Sequence, residues 1–509
     1  MYPIDLFYRQ AARTPDRIAV EFGEERCTYA QLLARSSALA AGLQAQDPTP
    51  GSRIGICCYN HLEHLIAWLA ILAAGKVWVP LYPRNKSAEI GGSISFTEMS
   101  IVIADAAAVP LVEGAGARIL IADAKGGAGT TGGLARAHEG GRPRFHPLPL
   151  DATQAIKFTG GSTGKPKGVM QPYRSWNTNI ITQILAWDLK PGDRLLAVAP
   201  ITHGTSTYIL PTLATGGTLV LMDQPRPEEV LHALSQERIA TTFLPPTVIY
   251  MMMQLPEARR GTYDHLRNLV YGSGPMRADA IAEAQSIFGP RICSTYGQTE
   301  APQIATMISA EQLAMPELRA SVGRETVLTR VAIMDEEGKL LPDGELGEIV
   351  IRGDLLMTGY WRQPEKTEQT IVDGWLHTGD IGQFDDSGFL YLKGRSKDLI
   401  ITGGFNVYPV DVEPVIAEHH AVSDCAVFGV PDEKWGEAVH AAVEIREGAS
   451  FDAQDIIRFV KDRLGSVKAP KSVAVYDRLP RNSYGKLQKQ ALVDDYIARA
   501  AREDKEVHS

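Results

Sequence analysis

Thr159-Gly-Gly-Ser-Thr-Gly-Lys-Pro-Lys-Gly168 packs four glycines, three hydroxyl side chains and two lysines into ten positions. Small residues free the backbone to curl around an anion, and hydroxyls and lysines then supply donors and positive charge. That is the composition a triphosphate-binding loop needs. The spacing is not that of a Walker A loop, which wants Gly five residues before the Gly-Lys and Ser or Thr after the Lys. Here Thr159 stands five residues before Gly164 and Pro166 follows Lys165, so the kinase or ATPase reading loses support. Taken alone, a flexible Gly/Ser/Lys surface loop remains the alternative. Candidate phosphate contacts are Thr159, Gly160, Gly161, Ser162, Thr163, Gly164, Lys165 and Lys167.

Around this loop the chain alternates helical and strand patterns. Ala30 to Leu43 and Leu62 to Ala74 read as helices, and Arg53 to Cys58 and Val77 to Leu81 as buried strands. Residues 124–143 are Gly-rich and read as an exposed connection. Downstream, candidate strands are Leu195 to Ala199, Thr218 to Met222, Thr241 to Leu244, Leu269 to Tyr271 and Ile292 to Thr295. Most run into a Gly, Pro or His cluster, and in open α/β sheets ligands collect outside the carboxyl ends of strands. From about 320 to 395, short alternating stretches such as GELGEIVIRG predict a β-rich subdomain. Beyond Arg395 strands and one helix predict a small α+β unit of about 110 residues.

The whole chain has 509 residues, 44% hydrophobic and 22% charged, which is ordinary for a globular protein of two to four structural units. Its formal net charge of −9 disfavours non-specific nucleic-acid binding and a polybasic membrane anchor. The five cysteines form no CxxC pair and read as buried, reduced thiols. MYPIDLFYRQ lacks the basic and apolar regions of a signal peptide, and Leu65 to Ala74 is too short to span a bilayer. A soluble cytoplasmic protein without nucleic-acid or integral membrane contact is expected; a homodimer stays open.

Further motifs follow: Tyr271-Gly-Ser-Gly-Pro275, Tyr296-Gly-Gln-Thr-Glu300, Gly374-Trp-Leu-His-Thr-Gly-Asp380 with Gly394-Arg-Ser-Lys-Asp398, and Pro480-Arg-Asn-Ser-Tyr-Gly-Lys486. Together with the loop, these resemble the signatures of the acyl-adenylate-forming superfamily, in that family's order and over nearly the whole chain. Gly160 replaces the usual Ser. The resemblance implies an α/β fold: a large N-terminal domain, 1–396, of two α/β subdomains plus a β-rich subdomain, then a small mobile α+β C-terminal domain, 397–509.

It also implies roles. Ser273, Gly274 and Pro275 would lie against adenine, Tyr296 with Gly297 would stack on it, and Thr299 would contact the α-phosphate. Glu300 would help hold Mg²⁺, since a carboxylate beside polyphosphate makes sense when a cation lies between. Asp380 would accept from the ribose hydroxyls and Arg395 would add a ribose or phosphate contact, a plain salt bridge being the alternative. Lys397 matches the hinge, and Lys486 the catalytic lysine, which neutralises two approaching anions. Ile401-Thr-Gly-Gly-Phe-Asn-Val-Tyr-Pro409 resembles the form common in CoA ligases, where Gly403 and Gly404 would let a pantetheine arm pass.

His203, in Pro200-Ile-Thr-His-Gly204, aligns with a histidine bordering the acid site; a structural His is the equal alternative. No Arg or Lys falls within 200–209 or YGSGPM, which disfavours a second carboxylate on the substrate. The expected activity is ATP- and CoA-dependent acyl-CoA synthesis on a fatty or aromatic monocarboxylic acid. The alternatives are an adenylation enzyme loading a carrier protein, a luciferase-like oxygenase, and a non-catalytic nucleotide binder.

Overall fold

The computed structural model describes residues 1–159, 167–224, 226–481 and 487–507, with backbone alone for 500–507. By contact density the chain divides into two compact units, 1–331 with 350–377, and 332–349 with 378–509.

Among the described residues two sheets lie wholly within the first unit. In one, six strands run parallel in the order Ile18–Phe22, Thr218–Leu221, Arg194–Ala197, Thr241–Leu244, Asn268–Tyr271 and Ile292–Tyr296. Antiparallel strands close its edges: Glu25–Thr28 on one side, Thr306–Ile308 and Arg324–Glu325 on the other. The other sheet has Thr153–Thr159, Val77–Pro80, Arg53–Cys57, Ile101–Ala104 and Arg118–Ile121 in parallel, with Lys167–Pro172 and Gly359–Tyr360 antiparallel at one edge. Parallel strands need both faces covered, and most of their positions are buried; Ile101–Ala104 and Thr218–Leu221 are buried at every position.

Helices supply that cover. Leu62–Ala73 is buried nearly all round, as a helix apolar on every face must be. His61 caps it, its Nδ1 accepting from the His64 amide at 3.2 Å, while its Nε2 meets Asp105 Oδ1 at 2.6 Å. Cys58 completes the one candidate metal-ligand group among the described residues, but both His61 nitrogens are already engaged in this cap. Trp68, Trp78 and Trp176 pack as a cluster with ring centroids 5.7–6.2 Å apart. Each fully buried Leu or Ile around them contributes about 1.5–3 kcal/mol.

The Gly-rich stretch at 124–143 is largely exposed, as expected, Thr131 alone being buried, and it carries local structure as well. It contains the helix Thr131–Ala137, capped by Thr130 Oγ1 accepting from the Gly133 amide at 3.0 Å. A Cβ on Gly132 or Gly133 would meet backbone oxygens at 2.5 and 2.1 Å, so these glycines serve close packing.

The second unit has a sheet of its own. Val422–Asp432 and Gly436–Ile445 form a long antiparallel pair, flanked by Ser472–Val475 and by the hairpin Ile400–Thr402 with Phe405–Val407. Helices Pro409–Ala417 and Ala453–Lys468 cover one face through Val412, Ile416, Ile456 and Val460. The four cysteines Cys27, Cys57, Cys58 and Cys293 are buried, Cys425 is partly so, and all five are free thiols. Among the described residues no helix is long and apolar enough to cross a membrane.

Candidate functional site

The parallel strands of the first unit end where the sequence motifs begin. Thr153–Thr159 pairs with Lys167–Pro172 in a register that sets Thr159 opposite Lys167. These two residues bracket 160–166; Gly160, Gly161, Ser162, Thr163, Gly164 and Lys165 lie outside the described residues.

Thr299 and Glu300 are drawn to this hairpin by backbone anchors. Gln171 Nε2 donates to the Thr299 carbonyl at 2.8 Å, and the Met357 amide donates to the Glu300 carbonyl at 2.8 Å. The Tyr360 hydroxyl donates to Glu300 Oε1 at 2.9 Å. Burial, with the Glu300 charge, raises the Tyr360 pKa, so its hydroxyl keeps the donated proton. Lys167 Nζ and Lys366 Nζ each lie 5.9 Å from the Tyr360 ring centroid. A carboxylate, two hydroxyl residues and two ammonium groups thus gather at one sheet edge. Tyr360 escapes a reading of the sequence; the aromatic pair Tyr360-Trp361 after Gly359 is its one local trace.

The adenine-side candidates occupy adjacent strand ends. Tyr296 ends Ile292–Tyr296 with 8% of its surface exposed. Gly297 is glycine for space: a Cβ there would meet the Gln303 backbone at 2.7 Å. Ser273 follows Asn268–Tyr271 at φ +68°, and Gln303 sits at φ +70°. Two non-glycine residues in the left-handed region, both in these loops, mark locally strained turns. Ser273, Gly274 and Pro275 are exposed.

His203 lies in the turn Ile201–Thr205 after Arg194–Ala197. Its Nδ1 is 2.7 Å from Thr202 Oγ1, and its ring meets Tyr82 edge-on at 4.8 Å. The ring keeps an opening to solvent, but burial among protein atoms, aided by the nearby Lys157 charge, pushes its pKa down to about 3. It is neutral at pH 7 and offers no positive charge. Next to it, Gly204 abuts Gln303 and Phe243, a Cβ meeting them at 2.9 and 3.0 Å. Tyr208 stacks on Phe243 at 5.2 Å and accepts from Gln303 Nε2 at 3.2 Å. In the run Met251-Met252-Met253, on the helix Pro246–Met253, Met252 and Met253 are core while Met251 is 55% exposed.

A cation does stand against this turn, from a strand distant in sequence. Lys157 Nζ donates to the His203 carbonyl at 3.0 Å and to Ser206 Oγ at 2.9 Å. The apolar run Ala155-Ile156-Lys157-Phe158 is the signal that could have found it.

In the second unit Asp380 pairs with Arg395 across adjacent strands, Arg395 Nε lying 3.1 Å from Asp380 Oδ1. The salt bridge anticipated as the plain alternative is therefore present. Lys397 is exposed in the short helical turn Ser396–Asp398. Gly403 and Gly404, at φ +58° and +82°, form the two-residue turn between Thr402 and its partner Phe405. Such a hairpin requires positive φ at both positions. Lys486 lies outside the described residues, which resume at Leu487, bridged to Arg481.

Comparison with known proteins agrees over most of the chain. The model of the AMP-binding enzyme family matches residues 7–361, and that of the AMP-binding enzyme C-terminal domain matches 411–486. The medium/long-chain-fatty-acid–CoA ligase FadD8 of Mycobacterium tuberculosis (strain ATCC 25618 / H37Rv) is 36% identical over 491 residues, covering 92% of this chain and 86% of that one. A feruloyl-CoA synthase of Amycolatopsis sp is 34% identical over 484 residues, 94% of this chain and 96% of its own. Among solved structures, ATP-bound MatB from Rhodopseudomonas palustris superposes with a TM-score of 0.88 at 31% identity, covering 97% of this chain and 99% of that one.

Proposed function

Because the chain belongs to the AMP-binding enzyme family, as an AMP-forming acid–CoA ligase acting through an acyl-adenylate, we propose that its acid is a fatty or aromatic monocarboxylate. The observation that carries this is the buried Tyr208–Phe243 stack beside Gly204, an apolar wall next to the His203 turn. Lys157, the cation nearest that turn, already donates to His203 and Ser206 and offers little to a second carboxylate. The names of the fatty-acid and feruloyl relatives support the same class.

In the reaction the acid's carboxylate attacks the α-phosphorus of ATP and diphosphate leaves. The CoA thiol then attacks the acyl carbonyl and AMP leaves. Thr159, the loop 160–166 and Lys167 are assigned to the phosphates, Ser273 to Pro275 with Tyr296 and Gly297 to adenine, and Thr299 to the α-phosphate. Asp380 is assigned to the ribose hydroxyls and Arg395 to the ribose or a phosphate; their ion pair orients each against the other. Lys486 neutralises the carboxylate and the α-phosphate as they approach.

Glu300, a partly exposed carboxylate with oxygen donors only, suits a hard divalent cation, and we assign it to Mg²⁺. Bound there, Mg²⁺ would offset phosphate charge. Lys397 is the assigned hinge between 1–396 and 397–509, which lets Lys486 leave before the thiol enters. Gly403 and Gly404 are assigned to the pantetheine arm. A cytoplasmic location completes the proposal.

The test is AMP release, with CoA present, across acids from acetate to long-chain and aromatic. CoA-dependent turnover on fatty or aromatic monoacids supports the proposal. Turnover confined to dicarboxylates overturns the substrate class. Diphosphate exchange without CoA-dependent turnover moves the acceptor to a carrier protein.

A further inference from the structure

Among the described residues of the first unit two lysines, Lys76 and Lys157, are buried, and they are treated differently. Lys76 has a carboxylate: its Nζ lies 3.6 Å from Asp47 Oδ1 and donates to Ser52 Oγ at 2.9 Å. Lys157 has none. Among the described residues its ammonium meets only the His203 carbonyl, the Ser206 hydroxyl and two indole faces, Trp78 at 5.1 Å and Trp176 at 5.6 Å. Burial alone pushes its pKa down to about 7. An ammonium buried without a counter-ion costs stability, which cation–π contacts and neutral acceptors offset only in part. A methionine would fill the same space between Trp78 and Trp176 without that cost. A buried amine at this position therefore calls for a reason other than stability.

Its placement supplies one. Lys157 lies two residues before Thr159, on the strand that leads into 160–166. Its two hydrogen bonds go to the turn that carries His203 and to Ser206, which begins the helix Ser206–Thr215. The Ser206 hydroxyl also donates to the His203 carbonyl, at 2.8 Å, closing a triangle of bonds around that one peptide. His203 itself has non-helical backbone angles, φ −110° and ψ −141°, inside the turn.

We propose that Lys157 is a positioning residue for the acid half of the site, clamping the His203 turn to the strand that feeds the phosphate loop. The clamp fixes the spacing between the acid and the phosphate it attacks. A misplacement of about 1 Å between reacting groups is worth roughly 10²-fold in rate. This inference rests on the reading of the 201–205 turn as part of the acid site.

The test is Lys157→Met, with Lys157→Gln as a second variant and His203→Ala in parallel. Melting temperature, ATP KM and acid kcat/KM are measured by diphosphate exchange. The clamp predicts a Lys157→Met enzyme that melts at or above the parent temperature, with ATP KM changed less than about twofold and acid kcat/KM lowered roughly 10- to 100-fold. Unchanged acid kcat/KM overturns the inference. So does a parallel loss of acid and ATP parameters with a lowered melting temperature, or failure of both variants to fold, since each assigns Lys157 to stability alone. If His203→Ala leaves acid kinetics untouched, the reading of the turn fails. If it impairs them and Lys157→Met does not, only the clamp fails.

Discussion

The Tyr360 hydroxyl donates to Glu300 Oε1 at 2.9 Å, although the two residues lie 60 positions apart and on different elements. The bond fixes the carboxylate's orientation at the edge where Lys167 also stands. A hydrogen bond to a charged group contributes about 1.5–3 kcal/mol. Tyr360→Phe should therefore raise the Mg²⁺ concentration for half-maximal turnover about tenfold, and Glu300→Ala should raise it further. Mg²⁺ titration of diphosphate exchange checks both. A Glu300→Ala enzyme with parental rates at low Mg²⁺ would remove Glu300 from the cation's site.

The parts of the site that were legible are those whose chemistry is local. Gly403-Gly404 stands out in the sequence, though the two-residue turn it forms, with positive φ at both positions, comes from the structure. Strand ends followed by Gly-rich clusters gave the positions of Tyr271, Tyr296 and their loops, and the alternation of strand and helix gave the parallel sheets. Lys157, Tyr360 and the Gln303–Tyr208 contact were not legible. Each owes its place to partners 46 to 95 residues away, a distance that no periodicity encodes. The exposure of the Gly-rich 124–143 stretch was legible, but its helix Thr131–Ala137 was not, because glycine signals a loop and close packing alike.

Lys486 is assigned to one half-reaction only. Lys486→Ala should abolish adenylation of the free acid, because the two anions then meet without a neutralising charge. It should leave thioester formation from preformed acyl-adenylate near the parental rate, since that step begins with a neutral carbonyl and a thiol. Single-turnover assays of each half-reaction decide this. Equal loss in both would end the account of alternating use.

Gly403 and Gly404 separate conformational need from space. Alanine at either must adopt a left-handed conformation, a cost of about 1–2 kcal/mol. At 403 its Cβ would also sit 3.0 Å from Trp435 Cε3, whereas at 404 it meets nothing within 4 Å. Gly403→Ala should thus lower the melting temperature more than Gly404→Ala. Both should slow CoA-dependent AMP release while sparing diphosphate exchange. Slowed exchange with normal thioester formation would detach this turn from the pantetheine arm.

Acid lability should come from histidines before carboxylates. His64 is fully buried; its Nδ1 faces the Tyr59 carbonyl at 2.9 Å and its Nε2 has no hydrogen-bond partner among the described residues. Burial, with repulsion from His61, pushes its pKa down to about 4, and burial does the same to His440, also to about 4. The unfolded chain binds protons at these sites near pH 6.5 and the folded chain does not. Stability therefore rises with pH across this window and falls as pH drops from 6.5 toward 4. For His64 the loss is on the order of 3 kcal/mol. Carboxylates held low act in a lower window. Glu21 is held down by Arg194, and Asp47 lies at about 2 because hydroxyl and backbone hydrogen bonds outweigh its burial. Their contribution is present above pH 4 and is lost as pH falls through their folded values. Melting temperature should accordingly decline between pH 6.5 and 4.5, and His64→Asn should flatten that decline. An unchanged slope in the variant would mean that His64 is not the group whose protonation opens the first unit.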